Sequence, residues 1–534
     1  MNVAFDRWIP VVTAAGDREL ASLCSVLTEG EKYTDLAVRP HERVSLMRLF
    51  LCVAHAALNG PKDYDEWEQV PHILPNAARN YLTEWKDSLE LFHPTKPWLQ
   101  VAELFGDKTS PVALLDFEMA TGNNSTLHDH AGQLVTRQIK PEKIGLSLLT
   151  FQNFSSGGGA PVAQWKTTKT SQVGNPDSPC LSQSMAHCLI RGKSLMATIH
   201  LNLPSFETVR RSFRSFSIYK PDKKKGEWGR IEFTDIEFGR PVWELFPNHP
   251  NNDADAVINA TKTYLGRLVP VSRWVRLLNR SEMFCCNGFK YDTFKDGFSA
   301  ESTAAVRVVT KKDPKGVETK ERAVVRIDPQ KALWRELSAL LINRTAFGLG
   351  GPIAMGNIPH DTEFDFHVCA MTRDQASMDI AVESVFHITP EFQNNLCSYQ
   401  TEIGAAEMIS WRLGSSIEEF RKEIDGSWEK KVEKAKNKWE LKGKLHSIAT
   451  NHFWTTIEKN LSLLMTHIEA IGTDQAIPTR EAWRKMLFAT ACDAYRIACG
   501  QETPRQIKAF AKGWQKLTAR KDEAFTTETK EEVA

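Results

Sequence analysis

Net charge is almost absent from this chain: 67 lysines and arginines face 66 aspartates and glutamates, a formal charge of +1 over 534 residues. Bulk electrostatics therefore offers no general attraction to polyanions, and any nucleic-acid surface has to be a local patch. No run approaches the roughly 18 apolar residues of a membrane-spanning helix, and the opening Met1-Asn2-Val3-Ala4-Phe5-Asp6-Arg7-Trp8 lacks a basic-then-apolar leader pattern. The ten cysteines include no CxxC pair, and the only vicinal ones are Cys285 and Cys286. That usage suits reduced thiols and predicts a cytoplasmic protein without a disulfide framework. GxxxxGK[ST], GxSxG and HExxH are missing too, which removes the sequence signals for phosphate-cradling, nucleophile-elbow and zinc-protease chemistry.

What stands out instead is the stretch from Ala120 to Ala160. Its first half, Gly122-Asn123-Asn124-Ser125-Thr126-Leu127-His128-Asp129-His130, gathers small polar residues that favour a loop. Its second half runs through Phe151 and Phe154 to Gly157-Gly158-Gly159. Glycine lacks a Cβ and lets the main chain approach another surface closely. Two aromatics just ahead of three glycines predict a loop anchored on the body with a bare tip facing a partner.

The length accommodates one large and one smaller domain. Residues 1–388 read as mixed α and β: a strand over Phe5 to Val12, a helix over Glu42 to Leu58 stopped at Gly60, and β-like runs at Leu195–Leu203, Arg230–Phe238, Arg273–Leu278, Ala304–Val309 and Arg322–Ile327. Trp98 reads as a core residue. Thr389-Pro390-Glu391 then supplies a hydroxyl cap, a first-turn proline and an acid, opening a helical region over 389–534. Its apolar stripes are Ile457, Leu461, Leu464, Met465 and Ile468; Trp483, Met486, Leu487, Ala491 and Ala494; and Ile507, Phe510, Ala511, Trp514 and Leu517. With Phe392 to Phe420 they predict a four-helix bundle, its last two helices starting at Thr479 and Thr503-Pro504, with a disordered tail. The expected class is therefore α+β, a large mixed α/β domain followed by a four-helix bundle.

Basic residues are concentrated in three places. Lys220 with Lys223, Lys224 and Lys225, and Lys311 and Lys312 with Lys315 and Lys320, read either as solvated turns or as phosphate contacts. The segment Tyr264 to Arg276 interleaves Arg267, Arg273 and Arg276 with apolar anchors that would hold a cation in place.

Several of these segments together resemble the CasA family, the large subunits of type I-E CRISPR surveillance complexes (Cascade). They are Phe5-Asp6-Arg7-Trp8-Ile9-Pro10-Val11, Arg48-Leu49-Phe50, the Gly122–Leu127 loop, the glycine run, Pro241-Val242-Trp243-Glu244 and the terminal region with Thr503-Pro504-Arg505. The likeness runs in order over nearly the whole chain. It implies a non-catalytic protein that recognises the short PAM beside a DNA target, helps to open the duplex for the guide RNA (crRNA) and receives a helicase-nuclease. The implied partners are the other Cascade subunits, the crRNA, double-stranded target DNA and that effector, with no membrane and no cofactor.

Residue by residue, the resemblance assigns Gly157, Gly158 and Gly159 to the loop that meets the PAM from the minor groove. Asp374, Gln375 and Ala376 match the segment that carries a glutamine wedge, with an acid at 374 where the family commonly has an amide. No lysine matches the family's lysine finger; Arg273 is the nearest basic residue and Arg276 the next. Asn123, Asn124 and Leu127 resemble the loop that tethers the subunit to the crRNA end. Some relatives carry metal-binding cysteine pairs near that loop; this chain has His128 and His130 and no pairs, so no metal is expected. Two other classes remain open: a metal-dependent phosphohydrolase built on His128, Asp129 and His130, and a purely structural scaffold subunit. His55, His360 and His367 stand isolated in the sequence.

Overall fold

The computed structural model describes residues 1–119, 129, 137–170, 174, 176–213, 215–218, 231–234, 236–249, 254–291, 301–312, 318–328, 331–344, 349–359, 361–374, 377–425 and 444–519. The chain divides into two compact units, Met1–Thr389 and Pro390–Ala534. In the first, the order is β1 (Ile9–Thr13), β2 (Arg18–Ala21), α1 (Leu23–Glu29), β3 (Tyr33–Leu36), α2 (Pro40–Leu58), α3 (Tyr64–Glu84), β4 (Leu104–Gly106), β5 (Ser110–Pro111), α4 (Pro141–Phe154), β6 (Ala163–Trp165), β7 (Thr168–Lys169) and β8 (His187–Arg191). There follow α5 (Leu195–Asn202), α6 (Phe206–Ser212), β9 (Ser215–Ile218), β10 (Ile231–Thr234), α7 (Ala254–Lys262), α8 (Tyr264–Leu268), β11 (Arg273–Leu277), β12 (Glu282–Asn287), β13 (Val306–Lys312), β14 (Glu318–Val324), α9 (Leu337–Leu341), β15 (Phe364–Asp374) and β16 (Ser377–Ile388).

The strands form small antiparallel sheets rather than one continuous layer: β2-β1-β3, β4-β6-β7, β11-β12-β5, β16-β15-β8 and the hairpins β9-β10 and β13-β14. Against the last of the three-stranded sheets, β16-β15-β8, packs α2, nearly all of it buried from His41 to His55, which also contacts α3, α4 and α8. Pro40 presets its first turn, Glu42 accepts from the Arg39 backbone at 3.0 Å, and Asn59 ends it in a left-handed conformation at φ 47°. Trp8 packs edge-on against Trp98 at 6.1 Å inside the same core, and Trp98 is core as its sequence context suggests.

A buried charge cluster fastens α2 to distant segments. Arg48 is ion-paired with Glu301 and donates to the carbonyls of Arg267 and, at 3.0 Å, Leu268. Arg267 lies 3.5 Å from the same carboxylate. Burial alone would raise the Glu301 carboxyl, but the two guanidiniums overcome it and hold it below its ordinary value.

One local expectation fails. Leu195–Leu203 reads as a β-like run, yet it forms α5, because Ser194 caps the helix by accepting from Ala197 N at 3.1 Å and the segment is largely buried. Leu195, Ala197, Ile199, Leu201 and Leu203 alternate with the polar Thr198, His200 and Asn202 as in a strand, but those polar side chains are taken up inside the fold: Thr198 donates to Ser194 O, Asn202 accepts from Ile190 N and His200 meets Trp67 O.

The second unit contains α10 (Pro390–Asn394), α11 (Leu396–Asp425), α12 (Lys444–Lys459), α13 (Leu461–Ala470), α14 (Ala476–Ala498) and α15 (Pro504–Thr518). The long helices pack as a bundle around Tyr399, Ile403, Leu413, Phe453, Trp483, Leu487 and Tyr495. Thr503 caps α15 with a capping box to Gln506. Thr479 lies inside α14, donating to Gln475 O at 2.7 Å, so that helix starts at Ala476, three residues earlier than its hydroxyl suggests. Gly513 lets α15 approach α11: a Cβ there would lie 2.6 Å from Ser416 O. Glu402, 1% exposed, accepts from Arg480 at 2.8 Å and Arg484 at 2.9 Å, crosslinking α11 to α14. Among the described residues no helix is long and apolar enough to cross a membrane.

Replacing Glu301 with Leu removes the one anion that two buried guanidiniums share. The expected cost is about 3–5 kcal/mol, read as a lower urea midpoint for the first unit with circular dichroism in water unchanged. A loss under about 1 kcal/mol would show that the cluster is not the fastening described.

Candidate nucleic-acid interface

The glycine run begins where α4 ends. Phe151 and Phe154 lie in the last turn of that helix, 7% and 1% exposed, so the aromatics anchor the loop as their spacing suggests. Gly158 and Gly159 are exposed; Gly158 sits at φ +131°, and a Cβ built on it would meet nothing within 4 Å. A side chain on Gly158 would therefore point into open space, while its own backbone forms an isolated β-bridge that steadies the tip.

The loop's root is a polar clasp. Gln152, fully buried, donates from Nε2 to Arg273 O at 2.8 Å and accepts from Arg273 N at 2.9 Å, so its amide stands in for a neighbouring strand beside β11. The Arg273 side chain returns the contact: its guanidinium donates to Ser272 O, Ser156 O and Pro176 O. A serine chain fills in behind, Ser155 Oγ to Ser178 Oγ at 2.8 Å and Ser178 Oγ to Ser272 Oγ at 2.7 Å. Asp177 accepts from Gly157 N at 2.7 Å. On the far side of the loop, Trp165 of β6 packs edge-on against Trp274 of β11 at 4.9 Å. Both ends of residues 155–162 are thus tied to one ladder, β11–β12.

This geometry revises the reading of Arg273. The residue is 4% exposed and its guanidinium is committed to three backbone carbonyls, so it supports the glycine loop from below instead of projecting as a finger. Burial lowers its pKa, and the facing carbonyl oxygens stabilise the cation that remains. Arg276 is half-buried; it donates to Leu104 O at 3.2 Å and lies 5.0 Å over the ring of Phe105, itself 60% exposed.

A cation the sequence reading passed over is exposed just beyond the end of the same ladder. Lys290 stands between Phe289 and Tyr291, both buried, just after β12. Phe289 N donates to Val271 O at 3.3 Å and Val271 N donates to Tyr291 Oη at 2.8 Å, which holds the backbone before the lysine and the side chain after it. The signal was present as a single cation flanked by aromatics, but whether those aromatics face inward depends on tertiary packing.

The second feature is the long hairpin β15–β16. Its strands pair from Phe364↔Ile388 to Asp374↔Ser377, while β8 accompanies β15 only from Asp365 to Cys369. Beyond Cys369 the described ladder is two-stranded. Asp374 ends β15 and the chain has reversed by Ser377; Gln375 and Ala376 lie outside the described residues.

Also outside them are Asn123, Asn124, Leu127, His128 and His130, and the basic residues Lys220, Lys223, Lys224, Lys225 and Lys315. Lys311 and Lys312 end β13 and Lys320 lies in β14, so the second basic run does sit on a hairpin, with Lys312 opposite Glu318. Asp129 accepts from Arg137 at 2.7 Å.

If the clasp sets the loop, Arg273→Met should raise hydrogen exchange at the Gly157 amide by at least tenfold while the exchange of the helical bundle is unchanged. Equal protection in the variant would mean that Asp177 and the serines suffice without the guanidinium.

The family described as CRISPR-associated protein Cse1 matches residues 2–494. A relative from Thermus thermophilus, described as CRISPR-associated protein CasA/Cse1, is 24% identical over 546 residues, covering 97% of this chain and 96% of that one. The crystal structure of Thermobifida fusca Cse1 superposes with a TM-score of 0.71 at 19% identity, over 97% of this chain and 98% of that one. A chain of a CRISPR RNA-guided surveillance complex superposes with a TM-score of 0.70 at 16% identity, over 97% of this chain and 99% of that one. With the family match spanning nearly the whole sequence, the chain belongs to the CasA/Cse1 family of CRISPR-associated proteins.

Proposed function

We propose that this chain is the large, non-catalytic subunit of an RNA-guided CRISPR surveillance complex of the type I-E class, in which it reads the PAM of double-stranded DNA and helps to open the duplex. The observation that carries this reading is the exposed Gly158-Gly159 backbone at the tip of a loop clasped at both ends to β11–β12. The minor groove is about 6 Å wide and its acceptor pattern is partly degenerate. Bare main chain enters where a side chain collides, and recognition through it tolerates more than one PAM. A rigid root matters because a loop that has to be ordered on binding spends part of the interaction energy on that ordering.

In this reading Lys290 supplies the cation beside the loop. It is exposed, flanked by two buried aromatics, and follows the ladder that holds the glycine run, whereas Arg273 is consumed by the clasp. Gln375, between the paired ends of β15 and β16, acts as the wedge: the two-stranded hairpin is the lever that presents it, with Asp374 and Ala376 beside it. A side chain entering the base stack costs a few kcal/mol of unstacking, which the adjacent duplex contacts offset. Asn123, Asn124 and Leu127 tether the subunit to the crRNA end. The other surveillance subunits, the crRNA, the target duplex and a helicase-nuclease are the partners, and the chain itself performs no bond cleavage.

Duplex capture and duplex opening are then separable steps. Phosphate contacts such as one from Lys290 hold DNA whether or not it is unwound, while the wedge acts on the first opened step. In the assembled complex, Gln375→Ala should bind a pre-unpaired bubble target nearly as the parent does and open an intact duplex at least tenfold more slowly, because guide pairing is a near-balanced exchange sensitive to its nucleation cost. Stopped-flow fluorescence of a 2-aminopurine next to the PAM reads both. Equal impairment on bubble and duplex targets would show that Gln375 is an ordinary binding or structural residue.

A further inference from the structure

The antiparallel pairing of β15 with β16 gathers three ligand types that lie far apart in the sequence. His367 and Cys369 are two residues apart on β15 and so share a face, and Glu383 of β16 is the direct partner of Cys369. One imidazole nitrogen, the Cys369 sulfur and one carboxylate oxygen lie within 4.8 Å of one another. Cys369 is fully buried, His367 is 4% exposed, and only the Glu383 side chain, 36% exposed, opens to solvent.

The surroundings are unusual for a core thiol. His367 Nε2 is 2.5 Å from Glu383 Oε1. Arg43 of α2 reaches the same face, ion-paired to Asp35 and with Nε 3.4 Å from Glu383 Oε1. That Nε is buried and makes no hydrogen bond, so the guanidinium neutralises Glu383 only by proximity. Arg191 is 3.2 Å from Asp35. Arg43, Arg191, Asp35 and Glu383 together sum to zero charge, so a divalent cation with one bound thiolate leaves a net charge of only +1 at the site.

We propose that His367, Cys369 and Glu383 form a site for a thiophilic divalent cation of the Zn²⁺ type, with its fourth position open to water on the Glu383 side. Imidazole, thiolate and carboxylate are all ligands that Zn²⁺ accepts, at about 2.0–2.3 Å. His367 Nε2 and Glu383 Oε1 already stand 2.5 Å apart, so binding requires these two to part around the ion and the Cys369 sulfur to close on it. On binding, the Cys369 thiol loses its proton to solvent and sulfur bonds to the metal; the imidazole keeps its proton on Nδ1 and offers Nε2, giving up its contact with Glu383. The metal so bound crosslinks β15 to β16 at the root of the two-stranded segment that ends at Asp374 and Ser377.

The full-length chain, stripped with a chelator and dialysed, is titrated with Co²⁺ under reducing conditions, and the thiolate-to-cobalt charge-transfer band is followed in the near ultraviolet. One equivalent should develop the band, and Zn²⁺ should then abolish it by displacement while Mg²⁺ does not. Cys369→Ser should remove the band, and His367→Gln should weaken Co²⁺ binding at least tenfold. Cys397→Ser, which removes the exposed free thiol of the helical unit, should leave the band intact. The absence of a band in the parent chain, its survival in Cys369→Ser, or its loss in Cys397→Ser would each overturn the proposal.

Discussion

A single reciprocal contact sets the geometry on which the candidate interface depends: the Gln152 amide pairs with the backbone of Arg273, and the Arg273 side chain grips the carbonyls at the base of the glycine loop. Each half accounts for an otherwise costly burial. An unpaired amide in the core would lose on the order of 1–3 kcal/mol, and an unpaired guanidinium considerably more. Together they convert the end of α4 and the start of β11 into one hydrogen-bonded unit. The flexibility that three glycines would otherwise confer is confined to the tip.

The same logic of charge held at a junction recurs elsewhere. Glu301 between Arg48 and Arg267 fixes the central helix α2 to the segments that follow α8, and Glu402 between Arg480 and Arg484 fixes α11 to α14. In each, one carboxylate serves two guanidiniums, so removal of the acid takes the anionic partner from two cations at once. At the root of the long hairpin the arrangement is different. Arg43 lies beside Glu383 without a hydrogen bond from its Nε, and a thiol and an imidazole occupy the space around the same carboxylate.

What could be read from the sequence alone was whatever is decided locally. The start of α15 follows from Thr503, Pro504 and Gln506, which cap a helix wherever they occur. The mixed α and β class and the helical second part follow from periodicity over long windows, and the family likeness from motifs in fixed order. Loss of information begins where partners come from afar. Arg273 reads as a basic residue among apolar anchors, which suits a projecting cation and a buried one equally; the carbonyls that decide between them belong to Ser156 and Pro176. His367 reads as isolated because Glu383 joins it only through the strand register. The β-like run from Leu195 turns helical although it alternates, because Thr198, His200 and Asn202, which read as a solvent face, find their hydrogen-bond partners inside the fold.

The central claim is that the glycine loop meets DNA with backbone alone, and the position that tests it most directly is Gly158. A side chain there has open space around it within this chain, but φ +131° strains any L residue, so loss of binding reports a surface outside the chain once thermal unfolding shows the variant folded and hydrogen exchange at the Gly157 amide, unchanged from the parent, shows the loop's conformation kept. The measurement is the affinity of the assembled surveillance complex carrying Gly158→Asp for otherwise identical duplexes with and without a PAM. The account predicts at least tenfold weaker binding of the PAM duplex and loss of the difference between the two. A folded variant that distinguishes the two duplexes as well as the parent does would contradict it.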